Sequence, residues 1–233
     1  MLRTAVVFFT LAAAGRADVA IPAASRQVIL VTSREWSASD ANVRIFSRTQ
    51  LGWTQTGATM PALTGRHGMA WGLGLHNTEE GAPRKKEGDG CAPAGVFAFG
   101  PAFSSKDVRL SVPCFTLTPS HEAIDDPKSR YYNQFVDLRK VAAPDWKSSE
   151  KLFGSPHYSL GIWVEHNPRR IPGAGSCIYL HEWVGERKGT AGCTVLRIAD
   201  LQRTLRTLKS GARPVLVQLP EPIALKHLPE LFR

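Results

Sequence analysis

One stretch of this chain, RIADLQRTLRTLKSG at residues 197–211, is patterned as an amphipathic helix, and the rest is broken up by glycine and proline. Within it Leu201, Leu205 and Leu208 fall at i, i+4 and i+7, Asp200 lies in the first turn, and Gly211 is placed to cap the end. With 20 glycines and 16 prolines spread over 233 residues, no other segment sustains a helical period, which excludes a helix bundle. The expectation is a mainly β, β-rich mixed α/β fold with one main helix.

Several segments carry the strand period instead. SRQVILVTS (25–33) reads as a buried strand, NVRIFSRT (42–49) alternates apolar and polar residues, and VRLSVPCFTLT (108–118) is strand-like but interrupted by Pro113. YSLGIWVEHN (158–167) and SCIYLHEWV (176–184) form two more strands across a Pro-Gly turn, and PVLVQL (214–219) closes the chain. Residues 60–100 are rich in tight turns, and the Lys-Lys pair before Gly-Asp-Gly reads as a solvated turn. Residues 119–159 are polar and aperiodic, which predicts a long loop with short helical turns, the kind that forms a lid or a binding wall.

The N-terminus, MLRTAVVFFTLAAAGRADVA, has Arg3, an apolar run from Ala5 to Ala14, and small residues at Gly15 and Ala17. This is the pattern of a secretory signal peptide spanning 1–17, with an apolar run shorter than the roughly 20 residues a membrane span needs. One domain over 25–233 is expected after it, exported to the periplasm or otherwise to the cell envelope, with no integral span once the signal is cut. Loss of Arg3 and Arg16 lowers the formal charge from +9 to +7. Such a basic exported protein is drawn to anionic envelope polymers. Its cations are scattered and no nucleic-acid-binding motif appears, which argues against nucleic acid as a partner.

Cys91, Cys114, Cys177 and Cys193 lie at no metal-ligand spacing, so neither a metal nor another cofactor is expected. Two disulfides are the ordinary reading of four cysteines in an oxidising compartment. A nucleophilic Cys193 would leave room for one at most, with Cys91–Cys114 the candidate.

The chemistry concentrates in GSCIYLHEWVGERKGTAGCTVL, residues 175–196. Strand alternation puts Cys177, Tyr179, His181 and Trp183 on one face. Cys193 follows Thr190-Ala191-Gly192, small residues that permit a sharp turn with accessible peptide N–H groups. Acyl transfer by a thiol needs a base and oxyanion donors, and a neighbouring imidazole can lower a thiol's pKa into a reactive ion pair. A core histidine beside a structural Gly-Cys turn fits the same spacing. The helix begins too far beyond Cys193 for its dipole to activate the sulfur.

IYLHEW…GTAGCTVL resembles the active-site segment of the L,D-transpeptidase (YkuD-type) family, in which a His precedes a Ser/Thr-x-Gly-Cys turn. KKEGDGCAPAGVFAFG is similar to that family's glycine-rich signature, and IDDPKSRYYNQ, DWKSSEKL and LGIWVEHN look like blocks of one bacterial subgroup, together covering roughly residues 65–197. The resemblance implies an L,D-transpeptidase-like β-sandwich with a long loop over the active site. It also implies an exported acyltransferase that attacks a peptidoglycan stem peptide, expels its terminal D-amino acid and passes the acyl group to another stem's amine. Carried over, Cys193 is the nucleophile, His181 the general base, Gly192 and Cys193 the oxyanion donors, and Thr190 the residue shaping the turn. Ala191 stands where many members have a second His, and Thr194 and Val195 where many have Arg or Asn.

Tyr132 and Asn133 in the polar loop, with Thr190, Ala191 and His166, are the candidate substrate contacts. Tyr131 belongs to the same loop, Asn167 alternates with His166, Ser149 and Glu150 suit a helix cap at least as well as a substrate contact, and Cys177 reads as a buried inert thiol. Two alternatives accompany the transferase: an L,D-carboxypeptidase or endopeptidase using the same pair, and a wall-binding protein without turnover. A papain-like protease is disfavoured because there the nucleophile precedes its His.

Overall fold

The computed structural model describes residues 19–77 and 83–233. The expected signal peptide, 1–17, lies outside the described residues. Fourteen strands are present: β1 (Gln27–Ser33), β2 (Asp40–Thr49), β3 (Gly52–Gln55), β4 (Met60–Leu63), β5 (Met69–Trp71), β6 (Ala92–Ser104), β7 (Cys114–Thr116), β8 (His121–Ile124), β9 (Gln134–Asp137), β10 (Glu150–Lys151), β11 (Leu160–Val164), β12 (Tyr179–Glu182), β13 (Thr194–Leu196) and β14 (Val215–Pro220). Two helices accompany them, α1 (Ile198–Thr207) and α2 (Glu221–His227).

The fold is mainly β, as expected, but it is a closed barrel and not a plain sandwich. Strands run in the order β1–β14–β6–β11–β12–β13–β4–β2, and β2 then pairs antiparallel with β1 to complete the ring. β1–β14 and β12–β13 are the parallel pairs of the ring. Closure removes the exposed edges a sandwich would leave. All seven residues of β1 are buried, because β2 and β14 flank it and α2 packs on it. Such continuous burial requires a continuous apolar run, and VILV supplies it.

β6 is the longest strand, with 13 residues, and serves several neighbours. Its Gly95–Ala98 portion pairs with β14 and its C-terminal part pairs with β11, while β5 and β7 join it parallel at its two ends. α1 buries Leu201, Thr204 and Leu205 against the barrel. It ends at Thr207 because Leu208 turns to extended backbone, so Gly211 is not its cap and lies in a separate short turn. α2 is a second helix, with proline in its first turn, Glu221 at its start and Lys226 and His227 at its end.

Residues 119–159 are not a structureless loop. They contain a small sheet in the order β10–β8–β9, with Ala123, Ile124 and Leu152 fully buried beneath it. These strands are two to four residues long, too short for alternation to register. Their apolar residues join a second core cluster with Phe103, Trp163, Tyr179 and Cys193, so this sheet meets the barrel at the Cys193 end.

Candidate active site

Strand pairing sets the geometry. β13 lies parallel to β12 with Leu180 opposite Thr194 and His181 opposite Val195. Cys193, one residue before Thr194, therefore falls beside Tyr179, whose backbone N–H donates to Sγ at 3.3 Å. The thiol in turn donates to the Cys177 carbonyl at 3.6 Å. Tyr179 and His181 share a face of β12, and Tyr158 packs on both rings, with centroids 5.7 and 5.0 Å away. Cys177 does not extend this face: its φ is 54°, and β12 starts at Tyr179 and ends at Glu182, before Trp183.

The turn before Cys193 is held by Thr190. Its hydroxyl accepts from the Gly192 N–H at 3.1 Å and donates to the Cys193 carbonyl at 2.5 Å. The Thr190 backbone is fastened to Thr64 and Arg66 on both sides. At the preceding position a Cβ on Gly189 would come within 2.4 Å of Arg66 Cα, so only glycine lets the two backbones meet there. Because the Gly192 N–H already serves Thr190, it is not a free oxyanion donor in this state. The N–H directed at the sulfur is that of Tyr179, which the spacing of Gly192 and Cys193 alone gave no reason to consider.

His181 is oriented by carbonyls. Its Nδ1 lies 2.9 Å from the His157 oxygen and 3.1 Å from the Glu182 oxygen. Both are acceptors, so Nδ1 carries the proton and Nε2 is the basic nitrogen. Burial lowers the imidazole to about 4, against the pull of those two carbonyls. Burial pushes the Cys193 thiol well above its ordinary value, and the charge of Glu150 adds to this, while the Tyr179 N–H and Lys85 oppose it. The resting pair is thus a neutral thiol and a neutral imidazole, not the ion pair expected from their proximity in sequence. A thiolate would form by proton transfer during reaction.

Both residues line a cleft of about 450 Å³, together with Glu150, Tyr158, Trp183 and the 189–191 turn, so Thr190 and Ala191 are at the cleft. Three other candidates are employed elsewhere. The Tyr132 hydroxyl donates to the Glu87 carboxylate, which also accepts from Ser176 at 2.8 Å. Asn133, at φ 55°, donates to the carbonyls of His166 and Asn167 and accepts from the Cys177 N–H at 3.0 Å. His166 accepts from the Leu73 N–H through Nδ1 and donates through Nε2 to the Ala174 carbonyl, and burial holds it at about 4. All three are buried fasteners between loops, and none of them lines the cleft with Cys193 and His181.

The Lys-Lys turn also differs from expectation. The Lys85 side chain is 3% exposed, and its ammonium donates to Asp89 at 2.6 Å. Asp89 further accepts from the N–H groups of Lys86 and Cys91. The Cys91 carbonyl lies 3.2 Å from where a Cβ on Gly192 would sit, so this loop backs the Cys193 turn. All four cysteines are free thiols, and no Cys91–Cys114 bridge exists.

Tyr158 carried no site signal in the sequence, whereas Glu150 read as a cap or a substrate contact, and it lines the cleft. Glu150 belongs to β10, not to a helix cap, and Ser149 beside it donates to Glu122 at 2.7 Å. Among the described residues no cluster could hold a metal ion, and no helix is long and apolar enough to cross a membrane. No protein-family model, curated protein or solved structure matches this chain.

Proposed function

We propose that the protein is an exported cysteine acyltransferase of L,D-transpeptidase type, acting on peptidoglycan stem peptides through a thioester on Cys193. The observation that carries this reading is a thiol and a tautomerically fixed imidazole opening on one cleft, with a backbone N–H aimed at the sulfur. The motif order around the pair, described above, gives the substrate class. The mainly β fold is compatible with this reading, although its closed barrel departs from the expected sandwich.

Chemically, His181 Nε2 takes the Cys193 proton as Sγ attacks the carbonyl of the donor peptide bond. The tetrahedral oxyanion collapses, the imidazolium returns the proton to the departing amine, and a terminal D-amino acid leaves. The N–H of Tyr179, released from a sulfur that has become acylated, is available to the carbonyl oxygen. An amine of a second stem then displaces the thiol. Raised basicity of the buried thiolate makes it a strong nucleophile once formed.

The test is mass spectrometry of disaccharide-tetrapeptide stems incubated with the protein and with Cys193→Ala. Crosslinked dimers formed by the unaltered protein alone, with loss of one D-amino acid, are the expected result. Trimmed monomers alone would make it a peptidase. Stems left intact by both proteins would favour a wall-binding protein with an inert thiol, a reading to which the burial of Cys193 lends weight.

A further inference from the structure

The cleft contains a carboxyl group that the reaction above does not use. Glu150 sits on β10, pinned by pairing with Ala123 of β8, and its carboxyl accepts from the Tyr158 hydroxyl at 3.2 Å. Tyr158 is the ring that packs on His181. Two other glutamates reach the cleft, but each is already engaged. Glu182 accepts from the Ser159 hydroxyl, and exposed Glu186 pairs with Lys188 at 2.6 Å. Among the described residues no Lys, Arg or His pairs with Glu150. The charges that act on it are those of Asp125 and Glu87, both negative.

A carboxylate held by the Tyr158 hydroxyl, acted on by two further carboxylates and in an ion pair with no cation, makes a local field that favours a cation. The field also reaches the nucleophile, since the charge of Glu150 acts on Cys193. Resting on the acyl-transfer reading, we infer that Glu150 receives the ammonium group of the acyl acceptor and takes its proton, which directs the thioester to an amine rather than to water.

The proton balance follows. The acceptor enters as R–NH3⁺ and gives one proton to the Glu150 carboxylate. The free amine attacks the thioester carbon, and the proton it then carries in excess passes to His181. The C–S bond breaks, and the Cys193 thiolate takes that proton back from His181. Amide, thiol and neutral Glu150 remain, and Glu150 returns its proton to water. Water as acceptor brings no charge and gains nothing from this carboxylate, so its removal affects the two acceptors unequally.

The experiment uses the full mature chain with disaccharide-tetrapeptide stems and measures two things: release of the terminal D-amino acid, and the ratio of crosslinked dimer to trimmed monomer. Glu150→Gln keeps the shape and hydrogen bonding while removing the charge, and thermal melting checks that it folds. Its dimer-to-monomer ratio is expected to fall roughly tenfold to a hundredfold, the worth of one charge-assisted hydrogen bond. Both products come from the same thioester, so the ratio is independent of how fast that thioester forms, and Glu150→Asp recovers part of the ratio. An unchanged ratio, or a fall in release that accounts for the whole loss of dimer, overturns the assignment. If the unaltered protein forms no adduct on Cys193, the acyl-transfer reading falls and takes this inference with it.

Discussion

The buried Lys85–Asp89 pair behind the Cys193 turn gives an asymmetric mutational prediction. The Lys85 side chain is 3% exposed and Asp89 is 19% exposed. Asp89→Ala removes the ion-pair partner and the acceptor of the Lys86 and Cys91 N–H groups, leaving a buried ammonium with no counter-charge and only the Lys86 carbonyl, at 2.8 Å, to receive it. Breaking a buried pair from this side costs about 3–5 kcal/mol. Lys85→Met removes the ammonium and refills its space with a flexible apolar chain. Asp89 then keeps two backbone donors and some water, so the loss is about 1–2 kcal/mol. The double variant should lie below the sum by about 2 kcal/mol, because the stranded ammonium no longer exists. Urea unfolding followed by tryptophan fluorescence measures all three. Trp71 is a local reporter, since its carbonyl accepts from the Lys85 N–H at 2.8 Å. A loss under about 1 kcal/mol for Asp89→Ala, or a larger loss for Lys85→Met, would refute the reasoning from burial.

Four further outcomes are expected. His181→Ala should slow formation of the Cys193 adduct by about 10²–10⁴, the range for removal of a general base, in stopped-flow mass analysis. Alkylation of Cys193 by iodoacetamide in the free protein should be slow at neutral pH and rise only at strongly alkaline pH, because burial disfavours the thiolate; fast labelling at pH 7 would show a preformed ion pair. Thr190→Val should cost about 1–3 kcal/mol by stranding the Gly192 N–H and the Cys193 carbonyl, read as a lower urea midpoint. The pH dependence of stability has two opposed parts. His166 and His181, lowered from 6.5 to about 4, contribute stability complete above pH 6.5 and lost as pH falls toward 4. Glu150, raised from 4.5 to about 7, contributes stability present below pH 4.5 and lost as pH rises through 7. At about 3 kcal/mol each, the net loss from pH 7 to 4 is about 3 kcal/mol. His166→Gln should roughly cancel it, and equal urea midpoints at pH 7 and 4 in the unaltered protein would contradict this.

What the residues announced and what they hid have physical causes. The VILV run of β1, the Leu201–Leu205 stripe of α1 and the alternation in YLHE are local patterns, and each element formed where its pattern lay. Barrel closure is not local: whether β1 takes β14 as a neighbour is decided by shape, and no period in either strand encodes it. The Cys193–His181 pair was legible because β12 and β13 are adjacent in both chain and sheet. Glu150 read only as a cap or a contact, because its strand has only two residues and reaches the cleft through a separate small sheet. Lys85 was misread because a lysine beside Gly-Asp-Gly is ordinarily wet, and only the fold shows that Asp89 turns back onto it. Tyr132, Asn133 and His166 carry the residue types of a binding wall, yet their polar atoms are consumed by neighbouring backbone and by Glu87.

The pairing of β14 with β1 also fixes when the molecule can finish folding. Val28 meets Val215 and Thr32 meets Leu219, so the ring joins the first strand to the last across almost the whole chain. A polypeptide emerging from its N-terminus presents β1 and β2 early, with the far side of β1 unpaired and strongly apolar. Until residues 215–220 arrive, that side is an adhesive edge for any other strand, and contacts of such long range form slowly. Truncation before Val215 would therefore do more than fray an end: it would leave β1 and β6 without the strand between them, and the sulfur's β12–β13 support would belong to an open sheet.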